Sequence, residues 1–242
     1  MGNEVYINGQ DNTDADFEIS VFNPVRGPII ITKNYIHDCV QGCIQIAITG
    51  SNSEISYNII DGFGTSVYTG GPTSGKFVAI RLGSHQMGVN NVQNVKVYNN
   101  VIINGGTASG SGAITIAVDG MEGASIKNNI FYNNSCQDIK IIKNPVGVFD
   151  IDNNLYHHTE ATGGWNWNYR KYDALLDLQT ASVEDYNSFD ADALFIGSDN
   201  YHLRADSPAI DAGADVGLNY DYDGNVVPYG INPDIGVYEH GY

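Results

Sequence analysis

Five times along the chain the same arrangement of apolar and polar positions returns. An aliphatic residue is followed, three places on, by an asparagine and then by two apolar residues. The asparagines are Asn34, Asn58, Asn100, Asn129 and Asn154, preceded by Ile31, Ile55, Val97, Ile126 and Ile151. The following pairs are Tyr35-Ile36, Ile59-Ile60, Val101-Ile102, Ile130-Phe131 and Leu155-Tyr156. The asparagines are spaced 24, 42, 29 and 25 residues apart, and a short motif recurring at such an interval predicts a solenoid. A second set of short, β-branched, alternating stretches lies at 43–49, 77–83, 113–119 and 138–144. Each reads as a strand.

Strand, asparagine corner, strand and further strand in each turn, with no amphipathic helix between them, predict an all-β, single-stranded parallel β-helix. A β-sandwich would not place one asparagine in the same phase five times. Asn suits the corner because it tolerates left-handed backbone. Its amide can also bond to stacked copies of itself, forming a ladder. The pattern predicts one domain over 1–242, with regular coils over 1–160. An aromatic loop, a short helix at 173–181, the last coil and a C-terminal cap follow over 161–242. The coil at 55–96 is overlong, with insertions at 61–76 and 84–94, and solenoid insertions tend to mark the binding face.

The formal charge of −17, from 11 Lys+Arg against 28 Asp+Glu, argues against nucleic acid and anionic membranes as partners. No stretch reaches membrane-spanning length, and no signal peptide is readable. Three cysteines, Cys39, Cys43 and Cys136, are too few for a disulfide framework. Cys39 and Cys43 are near enough in sequence to bridge, but the reading adopted is three free, packed thiols. Val5-Tyr6-Ile7 aligns with Asn34-Tyr35-Ile36, and Phe17-Glu18-Ile19 with Ile44-Gln45-Ile46. The first coil thus reads as truncated, which predicts a piece of a longer protein with further domains.

The tail carries DADALF (190–195), YHLRADSPAIDAG (201–213), DYDGN (221–225) and PDIGVYE (233–239), after NNLYHH at 153–158. These stretches resemble the C-terminal signature of secreted bacterial right-handed parallel β-helix proteins of the pectin-lyase-like superfamily, including chondroitinase-B-like and alginate-lyase-like members. The resemblance covers about the last 90 residues closely; DADALF departs from the expected DADPLF. It implies right-handed winding, a secreted or cell-surface location, and action on acidic polysaccharide by Lys or Arg with calcium on the outside of the coils. Within the tail, Asp211 and Asp234 read as turn acids. Asn219, Asp221, Asp223 and Gly224 match the start of an EF-hand loop, but position 12 is Gly230, so this stretch reads as strand-turn-strand.

Alternation with Ile44, Ile80, Ile114 and Ile139 inward puts Gln45, Arg81, Thr115 and Lys140 outward in one column. Four residues further on, His85 and Asp119 share another. A uronate lyase must neutralise the sugar carboxylate, remove the C5 proton and expel the C4 oxygen. Lys140 is the candidate base and Arg81 the carboxylate clamp or the acid. His85 is a proton shuttle or a substrate contact, Thr115 a substrate contact, and Asp119 and Asp138 are the calcium candidates. Trp165, Trp167 and Tyr169 alternate, with Arg170 beside them. They form either a sugar-stacking platform or a plug on the last coil. His37-Asp38 and His157-His158 read as exposed corner residues. Three function classes follow: a polysaccharide lyase (or, less well supported, an epimerase or glycoside hydrolase), a non-catalytic carbohydrate-binding or adhesive module, and a structural spacer.

Overall fold

The computed structural model describes residues 4–6, 17–21, 28–39, 42–46, 52–64, 77–83, 92–106, 112–116, 122–141, 149–159, 164–167, 170–182 and 184–242. The first turn contributes β1 (Glu4–Tyr6) and β2 (Phe17–Val21). The second contributes β3 (Ile30–Thr32), β4 (Tyr35–Cys39) and β5 (Gly42–Ile46). Then come β6 (Glu54–Ser56), β7 (Ile59–Phe63) and β8 (Val78–Leu82), followed by β9 (Gln93–Tyr98), β10 (Val101–Gly105) and β11 (Gly112–Ile116). The fifth turn holds β12 (Glu122–Lys127), β13 (Ile130–Tyr132) and β14 (Gln137–Ile141). The sixth holds β15 (Phe149–Asp152), β16 (Leu155–His157) and β17 (Trp165–Trp167). After these come β18 (Arg170–Tyr172), α1 (Leu175–Ser182), β19 (Phe189–Asp190), β20 (Phe195–Gly197) and β21 (Asn200–Leu203).

Three stacked sheets result. The first runs β1-β4-β7-β10-β13-β16-β19, the second β2-β5-β8-β11-β14-β17-β18 and the third β3-β6-β9-β12-β15. Every pairing in them is parallel except β17 with β18. The arrangement is consistent with a parallel β-helix. Inward residues of all three sheets, such as Ile36, Ile60, Ile102, Phe131, Ile44, Ile80, Ile114, Ile55, Val97 and Ile126, form one continuous core.

Corners come from single residues in left-handed backbone. The first corner uses Lys33, Tyr57, Asn99, Asn128 and Asn153, each with φ between 50° and 58°. The left-handed residue is therefore the one before each ladder asparagine, which corrects the sequence expectation by one position. The ladder asparagine itself points inward and is buried in every rung. Its Nδ2 donates to Oδ1 of the next rung at 2.9, 3.0, 2.9 and 3.1 Å. The same Oδ1 accepts the backbone N–H of the previous rung. From Asn58 on, Nδ2 also reaches the carbonyl of the aliphatic residue in the preceding turn: Ile31, Ile55, Val97 and Ile126. The repeated spacing thus has a physical origin. The aliphatic side chain fills the core while its carbonyl serves the ladder.

The last rung is not an asparagine. Asn154 donates Nδ2 to Asp185 Oδ1 at 3.2 Å and its backbone N–H to Ser188 Oγ at 2.7 Å. Asp185 is buried and also accepts from Ser188 Oγ and the Tyr156 hydroxyl.

Two first-turn alignments from the sequence are corrected. Glu4 pairs Tyr35 and Val5 pairs Ile36, while Ile19 pairs Ile44 and Val21 pairs Ile46. Both differ from the expectation by two residues. Alternation fixes which face a side chain takes but is blind to a slip of two.

The tail also departs from the expected cap. Residues from Ala193 onward lie along the outer face of the first sheet, over Tyr57, Ile59, Val101, Ile103, Ile130 and Leu155. The corner asparagines hold it there. Asn99 Nδ2 donates to the carbonyls of Asp234 and Gly236. Asn128 exchanges two bonds with Ala214, and Asn153 donates to Ala212. Lys33 Nζ donates to the Asp221 carbonyl. The tail acids accept backbone N–H groups, as expected of turn acids: Asp211 from Ile231 and Asn232, and Asp234 from Asp211 and His240. Asp221 accepts from Asn225 and Glu239, and Tyr220 bridges Val226 antiparallel. The EF-hand-like stretch is therefore a turn closed by one isolated antiparallel bridge, without the two strands expected. The end of the coil is closed instead by Trp165, Trp167, Tyr172, Leu175 and Leu178.

Cys39 and Cys43 form a disulfide across the corner between β4 and β5, with Cα atoms 5.5 Å apart. This corrects the expectation of free thiols, since the corner brings the two Cα atoms within bridging range. Cys136 is free and buried.

Candidate functional site

Register along the second sheet assembles a polar column on its outward face. Ser20 pairs Gln45, Gln45 pairs Arg81, Arg81 pairs Thr115, Thr115 pairs Lys140 and Lys140 pairs Asn166. The antiparallel partner of Asn166 is Lys171, so the column runs one strand further than the sequence reading took it. Two strand spacings separate Arg81 from Lys140, roughly 10 Å, and a similar step separates Lys140 from Lys171.

This column is outward but not open. Gln45 is 4%, Arg81 7% and Thr115 0% exposed. Lys140 and Asn166 are half-buried and Lys171 is exposed. The column is therefore buried in its middle and meets solvent at both ends, at Ser20 and from Lys140 to Lys171. Burial lowers the Arg81 guanidinium from its ordinary value. Burial likewise lowers the Lys140 ammonium, the direction that makes a lysine a better proton acceptor near neutrality.

Asp138, two residues before Lys140 on β14, is fully buried. His158 Nε2 lies 3.2 Å from Oδ1 and 3.0 Å from Oδ2 of this carboxylate, and Asn134 Nδ2 approaches Oδ1 at 3.4 Å. Burial raises the Asp138 carboxyl against the opposing pull of His158 and Asn134. Burial works against a charged His158, but the bond to Asp138 and its charge, with Asp190 adding to them, outweigh it. The imidazole is raised overall. The sequence expectation of an exposed corner residue is corrected for His158, whose side chain is 12% exposed. The clue was available. Tyr132 pairs His157, so phase puts His158 beside the corner that leads into β14.

The surroundings of Asp138 do not suit calcium, which takes 6–8 oxygen ligands. Its partners here are an imidazole and an amide. No group of three or more His, Cys, Asp or Glu that could hold a metal ion occurs among the described residues. Asp119, His85 and Tyr169 lie outside the described residues.

Trp165 and Trp167 share one side, as alternation predicts, and that side is the core. Trp165 is 5% exposed and meets Tyr156 edge-on at 4.9 Å. Trp167 meets Phe149 edge-on at 6.1 Å. Of the two readings left open by the sequence, these contacts are those of a plug. Arg170 is exposed, with its guanidinium 5.1 Å from the Tyr172 ring centre.

A cavity of about 1030 Å³ lies at this end of the coil, lined by His158, Trp165, Lys171, Leu175, Phe189 and Asp190 among others. Compared with protein-family models, the chain matches none, and it matches no curated protein.

Proposed function

We propose that this is a secreted or cell-surface, right-handed parallel β-helix acting on acidic polysaccharide by lyase-type β-elimination at the outward column of the second sheet. One observation carries the reading: strand register places Arg81 and Lys140 in a single polar column, two strands apart. In the reaction, Arg81 pairs with the uronate carboxylate and stabilises the charge that develops on it. Lys140, in its neutral form, takes the C5 proton. The electron pair left at C5 forms the C4–C5 double bond as the C4–oxygen bond breaks, and the departing oxygen collects a proton from solvent. Thr115, between the two cations, is fully buried and does not reach the sugar, against the expectation of a substrate contact. The extracellular location is supported by the Cys39–Cys43 disulfide, since such bonds persist in oxidising compartments, and by the resemblance of the tail.

The test is ultraviolet absorbance of unsaturated uronate products on pectate, alginate and glycosaminoglycans. Lys140→Ala and Arg81→Ala are expected to lose turnover by at least about a hundredfold, the usual weight of a positioned proton-transfer group, while retaining the fold. Absence of product across the panel would overturn the reading.

The burial of Arg81 and Thr115 favours a second reading, in which the column is a structural polar seam and the chain binds carbohydrate without cleaving it. Binding of the same polymers without product, unchanged in Lys140→Ala, would select it.

A further inference from the structure

We propose that the cavity at the C-terminal end of the coil is a binding site for a neutral saccharide, with His158, held by the buried Asp138, as its central hydrogen-bonding group. Lys171 belongs to both this cavity and the end of the column, but the site uses neither Arg81 nor Lys140 and does not depend on the lyase reading.

The cavity is large enough for a ligand of a few sugar rings, since small-molecule sites run to about 1,000 Å³. Its wall mixes apolar surface from Trp165, Leu175, Leu176 and Phe189 with polar groups from His158, Asp173 and Asp190. That mixture suits a ring with an apolar face and hydroxyl edges. Asp173 and Asp190 are exposed and can accept from sugar hydroxyls as ionised acceptors. Lys171 lies 2.6 Å from Asp173, so the cation is offset and the wall is acidic on balance. An acidic wall disfavours uronates and leaves neutral sugars.

The Asp138–His158 pair is the second observation. Burying a carboxylate costs several kcal/mol unless a partner compensates it, and Asp138 is 0% exposed. With Nε2–H directed at Asp138, the ring is fixed in orientation and tautomer, which presents Nδ1 as the remaining polar atom. A simple staple between β14 and the turn after β16 would not need its histidine in the wall of a cavity. Gly164, whose carbonyl accepts the Asp138 N–H at 2.8 Å, completes the support and also lines the cavity.

The experiment is NMR observation of the His158 ring resonance, assigned with His158→Gln among the 6 histidines. Neutral xylo-, cello-, malto- and galacto-oligosaccharides are titrated against oligogalacturonate and oligoalginate. At least one neutral oligosaccharide is expected to shift the His158 signal saturably. His158→Gln is expected to weaken its binding about tenfold or more, the loss of one well-placed hydrogen bond. Lys140→Ala is expected to leave it unchanged, which separates this site from the column. Leu176→Trp, at a side chain that is 70% exposed and needed for no core contact, fills the cavity and is expected to abolish binding should His158→Gln fail to fold. No shift with any neutral saccharide, a shift with uronates alone, or binding that survives these two variants would overturn the proposal.

Discussion

Asp185 shows how one side chain ends a repeat. It takes the position a sixth asparagine would hold, and it does so as a carboxyl whose burial pushes its pKa from 3.8 up to about 6. A carboxyl raised in the folded state binds more protons there than in the unfolded chain between these values. Its contribution to stability is therefore full below about pH 4 and falls as pH rises to about 6. Denaturant midpoints measured across this range should show that decline, and Asp185→Asn should flatten it. The asparagine oxygen can still accept from Asn154 and Ser188 while its new N–H meets the Tyr156 hydroxyl. An interior rung behaves differently. Asn100→Ala strips the acceptor from both the backbone N–H and the amide of Asn58. At about 1–3 kcal/mol for each stranded buried group, the loss should exceed about 3 kcal/mol in chemical denaturation. The ladder was legible in the sequence because it repeats. Asp185 was not, because a single acid in a polar stretch carries no period.

Elements were legible in proportion to their regularity. The strand phase placing Ile80, Ile114 and Ile139 inward, and Arg81, Thr115 and Lys140 outward, follows from alternation and is the register observed. Two-residue slips in β1 and β2 show the limit of that logic. Gly236 marks another element whose role depends on a distant surface. It has φ of 106°, and a Cβ there would lie 2.7 Å from Ile130 Cδ1. Gly236→Ala should therefore loosen the tail from the first sheet and cost more than about 1 kcal/mol, read as a lower melting temperature and earlier proteolysis near the C-terminus. The disulfide joins β4 to β5 over a short loop. On the chain-entropy estimate its removal in Cys39→Ser should cost about 2 kcal/mol. Thiol titration of the native protein should find no reactive group, because Cys136 is buried, and one only after unfolding without reductant.

At the scale of the molecule, the three sheets have three different outer faces. The first is covered by the tail, the second carries the polar column, and the third displays charges such as Lys127 and Asp150, 2.8 Å apart. Truncation after Leu203 would strip Ala209, Val227, Ile235 and Val237 from the cluster on the first sheet and uncover Val101 and Ile130 beneath Gly236. Each buried aliphatic side chain contributes about 1.5–3 kcal/mol, so the shortened chain should bind hydrophobic dyes and aggregate, as measured by light scattering. The tail is therefore a wall of this structure and not a stopper at its end. Trp165, Trp167 and Tyr172 do the stopping, and Trp165→Ala should cost about 3–5 kcal/mol as a core cavity.

The sequence by itself determined the repeat, the faces of the strands and the polar column, because periodic burial leaves a periodic trace. Only the tertiary structure decided what meets those faces. The tail on the first sheet, the Cys39–Cys43 bridge, Asp138 against His158, and the tryptophans turned inward all join residues from different turns, or turn on which side of the chain is covered. No local pattern encodes such pairings. They arise when stacked turns bring single, non-repeating residues within reach of one another.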